Sequence, residues 1–289
     1  MIIEAVFLAV FWCWVFAAVL FLRYTLLPRT PLFATPQQFS LPSETVSFAA
    51  TDGTPLEGWK IASEPDRPWI LLCHGIGSNR SDLLSVAAGL HAAGLNLFLF
   101  DFRGHGGSGG RATSFGWTER RDLEGALAFL GQQPDLPAKP YGFYGISMGG
   151  AVGLMAAAAD ERLGALALDS PYNRLDAALG RHLKLLYPIL PAVPFRWFME
   201  ATYRLRFGVW PRRVSPQDSA ARLGRRPLLL IQVAGDVRTP LEGTQTILAQ
   251  ASEPKELWLI DGTEHLSGFS HDPSAYVARL VRFFTSALN

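Results

Sequence analysis

Cysteine is scarce, and the two that occur, Cys13 and Cys73, fall in apolar runs expected to be a membrane segment and a buried strand, so no disulfide framework is implied. Paired Cys/His spacings of the zinc type are missing, as is a phosphate-cradling Gly-x-x-x-x-Gly-Lys sequence, so neither a metal nor any other cofactor is called for. An excess of one charge is missing too. The net charge is +1 over 289 residues, which removes the whole-chain case for nucleic-acid binding. With 49% hydrophobic and 18% charged residues the chain is neither disordered nor fibrous, and it has material for one large core, or for one domain with an insertion.

What is present begins with a long apolar run, Ile2 to Leu22, interrupted only by Glu4. About 20 helical residues span a hydrocarbon core of ~30 Å, so residues 1–22 are expected to be a transmembrane anchor. A signal peptide has a shorter apolar core with basic residues before it. Arg23 and Arg29 follow the run, so the expectation is a single-pass membrane protein whose bulk, by the positive-inside tendency, faces the cytoplasm. Residues 23–44 carry Pro28, Pro31, Pro36 and Pro42 and are expected to be an extended tether.

Residues 45–289 form the expected folded domain. Thr45 to Ala49 and Leu56 to Ile61 read as a hairpin across Thr51-Asp52-Gly53-Thr54. Short apolar strands at 69–73, 95–100, 140–145, 163–168, 227–233 and 256–260 then alternate with helical stretches. That alternation predicts an α/β fold, an eight-stranded mostly parallel sheet with helices on both faces.

Ser147 lies in Gly145-Ile146-Ser147-Met148-Gly149, between the strand at 140–145 and an Ala-rich helix. A strand-to-helix turn that tight leaves no room for side chains two residues either side of its apex, which explains Gly145 and Gly149. The apex hydroxyl then projects beside the first turn of a helix, where unpaired N–H groups favour developing negative charge. Taken alone, the motif also fits a helix cap made by Ser147.

The Gly-x-Ser-x-Gly turn in such a sheet resembles the α/β-hydrolase superfamily, and the order Ser, then Asp or Glu, then His can be followed along the chain. Asp236, in Ala234-Gly235-Asp236-Val237-Arg238, occupies the family's usual acid position at a strand's carboxyl end, and His265 precedes the final helix at the family's base position. A serine hydroxyl is a poor nucleophile until an imidazole takes its proton, and a carboxylate fixes that imidazole's tautomer. The resemblance assigns the oxyanion-hole N–H groups to Ile76 and Met148, with His74 and Gly75 shaping the approach. Asp169 is the reserve acid. Asp101 to Ser108 matches a further superfamily signature, a structural turn bordering the pocket.

Within the superfamily the layout is similar to membrane-anchored serine hydrolases grouped with monoacylglycerol-lipase-like and serine-aminopeptidase-like domains. An insertion at 171–226, after the sixth strand, has eleven Lys and Arg against three Asp and Glu and is rich in large apolar residues, which reads as a helical cap over the site. The implied activity is a serine hydrolase that cleaves a carboxylic ester or thioester with an apolar acyl group. The alternatives are an amidase or peptidase of the same fold, or a catalytically silent membrane-tethered binding module. The implied partners are a small-molecule or lipid ester and a membrane, met through the N-terminal helix and, in a sharper reading, through the basic cap. No nucleic acid is expected, and the oligomeric state is not specified.

Overall fold

The computed structural model describes residues 2–26, 29–64, 66–133 and 140–288. Its strands are β1 (Glu44–Ala49), β2 (Pro55–Ile61), β3 (Trp69–Cys73), β4 (Asn96–Phe100), β5 (Tyr141–Ile146), β6 (Leu163–Asp169), β7 (Leu228–Val233) and β8 (Lys255–Ile260). Its helices are α1 (Ile2–Thr25), α2 (Leu84–Ala92), α3 (Glu119–Gly131), α4 (Met148–Ala157), α5 (Leu175–Leu186), α6 (Ala192–Phe207), α7 (Pro216–Ala220), α8 (Leu241–Gln250), α9 (Gly268–His271) and α10 (Pro273–Leu288).

Among the described residues the strands form one eight-stranded sheet in the order β1-β2-β4-β3-β5-β6-β7-β8. β2 runs antiparallel to β1 and β4, and every other pairing is parallel. Strands β3, β4, β5 and β7 are buried at every position, which is why they read as unbroken apolar runs rather than as alternation. One face packs on α3, α4, α7 and α8 through residues such as Leu127, Val152, Ala220 and Ile247. The other face packs on α2 and α10 through Leu84, Leu90, Leu280 and Phe284. The carboxyl ends of the parallel strands are thereby left free to carry loops.

A third apolar cluster lies above those ends. It joins Leu175, Leu179 and Leu183 of α5, Phe195, Phe198, Met199 and Tyr203 of α6, and Ala17 and Phe21 of α1. This corrects the expectation for the N-terminus. The chain is helical over Ile2–Thr25, but among the described residues no helix is long and apolar enough to cross a membrane. Ala17, Phe21 and Thr25, four residues apart and so on one face, are buried instead, the first two within the cap's apolar cluster and Thr25 beside Thr113, whose amide donates to its carbonyl at 3.0 Å. Phe16 meets the ring of Phe195, and Phe21 those of Phe115 and Tyr203. The helix is a component of the cap's core over its C-terminal half.

The proline-rich stretch is also docked rather than extended into solvent. The Arg29 guanidinium donates to the carbonyls of Gly106, Ser108 and Gly110. Asn79 Nδ2 donates to the carbonyls of Thr30 and Pro31 at 3.1 and 3.0 Å. Pro36 and Leu41 are buried, while Pro28 lies outside the described residues.

Candidate active site

Ser147 stands between β5 and α4 with φ +50° and ψ −116°, a strained conformation for a residue with a side chain. Its amide donates to the Asp169 carbonyl at 2.8 Å, which ties the turn to the end of β6. The glycines answer to close approach. A Cβ on Gly149 would sit 2.4 Å from the Cys73 carbonyl oxygen, and one on Gly145 would sit 2.7 Å from the Gly149 backbone. The helix-cap reading of Ser147 does not hold, because its side chain makes no cap hydrogen bond. Ser147 Oγ instead lies 3.0 Å from His265 Nε2.

The opposite ring nitrogen, Nδ1, lies 2.5 Å from Asp236 Oδ2. A carboxylate oxygen only accepts, so Nδ1 carries the proton and Nε2 is left to accept from the Ser147 hydroxyl. Asp236 is held on every side. Its Oδ1 accepts the amides of Arg238 and Thr239 at 2.7 and 3.1 Å, and its Oδ2 also accepts the Thr239 hydroxyl at 2.7 Å. Burial pushes this carboxyl up, but the hydrogen bond and charge of His265 and the Thr239 bonds outweigh it, and the net shift is downward.

Ile76 and Met148 line the same pocket as Ser147 and His265. Among the described residues neither amide donates to a protein acceptor, so both are free to bind an oxyanion. The loop that carries Ile76 is fixed by two buried histidines. His74 Nε2 accepts the Phe102 amide at 3.1 Å while Nδ1 lies 2.7 Å from the Gly75 carbonyl. Burial, with the neighbouring His105 adding to it, lowers His74 to about 3 and so keeps it neutral. His105 Nε2 accepts the Gly77 amide at 3.1 Å, and Nδ1 meets the Arg103 carbonyl at 2.9 Å. Gly75 packs directly under the nucleophile, and a Cβ there would stand 3.4 Å from that of Ser147, in ordinary van der Waals contact.

Asp169, the reserve acid, is not brought to His265. Its oxygens accept the hydroxyls of Tyr276 at 2.6 Å and Ser170 at 2.7 Å, and burial raises its carboxyl. Three contributors escaped sequence reading. Thr239 orients Asp236, His105 fixes the oxyanion loop, and Phe115 lines the pocket from a left-handed backbone, φ +59°. Thr239 was within reach in the loop that contains Asp236. His105 lay in the noted Asp101 to Ser108 turn, but nothing local signalled that it meets Gly77.

The pocket measures about 170 Å³ and is walled by Phe115, Met148, Leu175, Leu179 and Leu266, with Ser147 and His265 at one side. The arrangement offers an activated hydroxyl, two free amides and an apolar recess, the equipment of acyl transfer.

The serine aminopeptidase (S33) family model matches residues 64–218, a stretch that contains Ser147 and ends before Asp236 and His265. The uncharacterised protein YqkD of Bacillus subtilis (strain 168) is 28% identical over 239 residues, covering 82% of this chain and 77% of its own length. The Pyrococcus furiosus esterase Pf2001 superimposes with a TM-score of 0.76 at 25% identity, over 91% of this chain and 97% of that one. The α/β-hydrolase GrgF from Penicillium gives 0.70 at 20% identity, over 86% and 99%, a likeness of fold.

Proposed function

This chain belongs to the serine aminopeptidase (S33) family of α/β-hydrolases, and on that premise we propose that it cleaves a carboxylic ester or thioester with an apolar acyl group through an acyl-enzyme. The observation that carries this reading is the unbroken line from Ser147 Oγ through His265 to Asp236, at 3.0 and 2.5 Å. His265 takes the Ser147 proton as Oγ attacks the acyl carbon, and returns it to the departing oxygen or sulfur. Water, deprotonated by the same imidazole, then releases the acid. Charge on the tetrahedral oxygen falls to the Ile76 and Met148 amides, each worth ~3 kcal/mol of transition-state stabilisation. An ester is favoured by the apolar recess and by the likeness to an esterase at 25% identity. The test is fluorophosphonate labelling of the full chain and hydrolysis of p-nitrophenyl esters from acetate to palmitate, with Ser147→Ala as control. A folded protein that takes no label in detergent would be a silent binding module.

One observation favours a second reading. Asp82 lines the pocket, held at 2.8 Å by the Ser78 hydroxyl, where it would pair with a peptide amino terminus. Amino-acid p-nitroanilides turned over faster than esters would establish the peptidase.

The substrate is met at a lipid surface in this proposal. Phe7, Leu8, Phe11 and Trp12 of α1 are exposed, as are Ile189 before α6 and Val193 and Trp197 within it. Exposed apolar residues on the cap and on its N-terminal helix suit contact with a bilayer interface. The full chain should float with phosphatidylcholine vesicles, and Phe11→Ser with Trp12→Ser should weaken flotation. Equal flotation of both proteins would remove the lipid contact from the proposal.

A further inference from the structure

A second, larger cleft opens beside the candidate catalytic pocket. It measures about 1080 Å³ and lies between α5, the start of α6 and the loop that carries Asp236. Tyr172, Ala178, Arg238 and Thr239 line both cavities, so the two adjoin. The larger cleft lies on the His265 side, since Thr239 Oγ1 is 2.7 Å from Asp236 Oδ2 and 3.3 Å from His265 Nδ1. In an acyl transfer the leaving group takes its proton from the imidazole and departs on that side, away from the Ile76 and Met148 amides.

The linings differ in charge. The larger cleft is lined by Arg181, Lys184, Arg196 and Arg238, with Asp236 and Glu242 as its carboxylates. Asp236 is committed to His265 and Thr239, and Arg196 to Glu200 at 2.7 Å and Asp176 at 3.7 Å. Among the described residues Arg181, Lys184 and Arg238 have no ion-pair partner. These three cations outnumber Glu242, the one uncommitted carboxylate lining the cleft, so the concavity keeps a net positive charge that a multiply charged anion relieves.

We propose that this cleft binds the leaving-group half of the substrate, and that this half carries a phosphate. The substrate class is then an apolar acyl ester or thioester of a phosphorylated alcohol or thiol, an inference that rests on the serine-hydrolase reading. Ser147 Oγ bonds to the acyl carbon as the bond to the phosphorylated half breaks, and the Ser147 proton passes through His265 Nε2 to the departing oxygen or sulfur. Water then supplies hydroxide to the acyl carbon and a proton to Ser147. The phosphate itself is bound and not altered. Two sources share this chemistry, a lysophospholipid-type headgroup and a soluble acyl thioester such as acyl-coenzyme A.

The test uses the full chain in detergent with one acyl chain throughout. The substrates are 1-lauroylglycerol and its 3-phosphate, lauroyl-N-acetylcysteamine and lauroyl-coenzyme A, and p-nitrophenyl laurate. A phosphorylated substrate should exceed its neutral counterpart in kcat/KM by about tenfold or more, as charge-assisted contacts predict. The pair that shows the preference identifies the source. Arg181→Glu with Lys184→Glu should remove the preference and leave p-nitrophenyl laurate turnover unchanged, while Arg181→Lys with Lys184→Arg should retain it. Equal kcat/KM within both pairs, or a preference that survives the charge reversal, would overturn the subsite alone if p-nitrophenyl laurate is cleaved. Failure to cleave that ester, with Ser147 unlabelled, would overturn the hydrolase reading and the subsite with it.

Discussion

Phe21 of α1 is fully buried, with its ring centroid 6.2 Å from that of Phe115 and 5.9 Å from that of Tyr203. Replacing it with alanine removes an aromatic side chain from a packed site, a change worth about 3–5 kcal/mol against a total domain stability of about 5–15 kcal/mol. The loss should also reach the pocket. Tyr203 donates to the Ser114 carbonyl at 2.9 Å, and Tyr172 to the Phe115 carbonyl at 2.5 Å, so the cap's tyrosines hold the strained segment that presents Phe115 to substrate. Phe21→Ala should therefore raise KM for p-nitrophenyl esters more than it lowers kcat, because Ser147, His265 and Asp236 stand on other loops. Phe11, half exposed on the same helix, supplies the control, and Phe11→Ala should cost less than about 0.5 kcal/mol. Urea unfolding of the full chain in mild detergent, followed by tryptophan fluorescence, reads the stability. Phe21→Ala within about 0.5 kcal/mol of the parent protein would refute the packing of α1 on the cap.

Asp236→Asn keeps the shape but loses the carboxylate that fixes the His265 tautomer, and should lower kcat for p-nitrophenyl esters by about 10⁴-fold. Asp169→Asn should change kcat by less than about tenfold, since its carboxyl meets Tyr276 and Ser170 rather than the imidazole. His74, lowered from 6.5 to about 3 by burial, stays neutral in the folded chain while the unfolded chain takes a proton below pH 6.5, so stability falls on acidification through that window. Between pH 7.5 and 5 its share is about 2 kcal/mol, and His74→Gln should lose that much less than the parent protein in paired urea titrations. Gly149→Ala forces a methyl against the Cys73 and His74 carbonyls and should destabilise the chain by about 1–3 kcal/mol, read as a lower urea midpoint.

The parts legible in the sequence are those whose cause is local. Buried parallel strands announce themselves as apolar runs because both faces are covered, and β3, β4, β5 and β7 are of that kind. The turn at Ser147 is legible because its glycines answer to backbone a few ångströms away. What escaped depends on partners distant in sequence. His105 matters because its ring meets the amide of Gly77, 28 residues earlier, and Arg29 because it reaches carbonyls near position 108, 79 residues on. Such pairings between loops leave no periodic trace.

Asp169 and Asp236 show the same limit within one site. Both stand at or just beyond the carboxyl end of a parallel strand, and both are buried, 2% and 3% exposed. Strand pattern cannot separate them. Their neighbours do, since Asp236 meets an imidazole and Asp169 meets tyrosine and serine hydroxyls, and the two carboxyls shift in opposite directions. α1 repeats the lesson with apolar residues. Hydropathy reports that a helix avoids water, and not whether lipid or protein replaces the water. Ala17, Phe21 and Thr25 take protein as that partner, and the exposed Phe7, Leu8, Phe11 and Trp12 are left facing outward beside a cap that also exposes Ile189 and Trp197. One helix therefore packs on the cap beside Phe115, which lines the pocket, through one face and leaves apolar residues exposed on another.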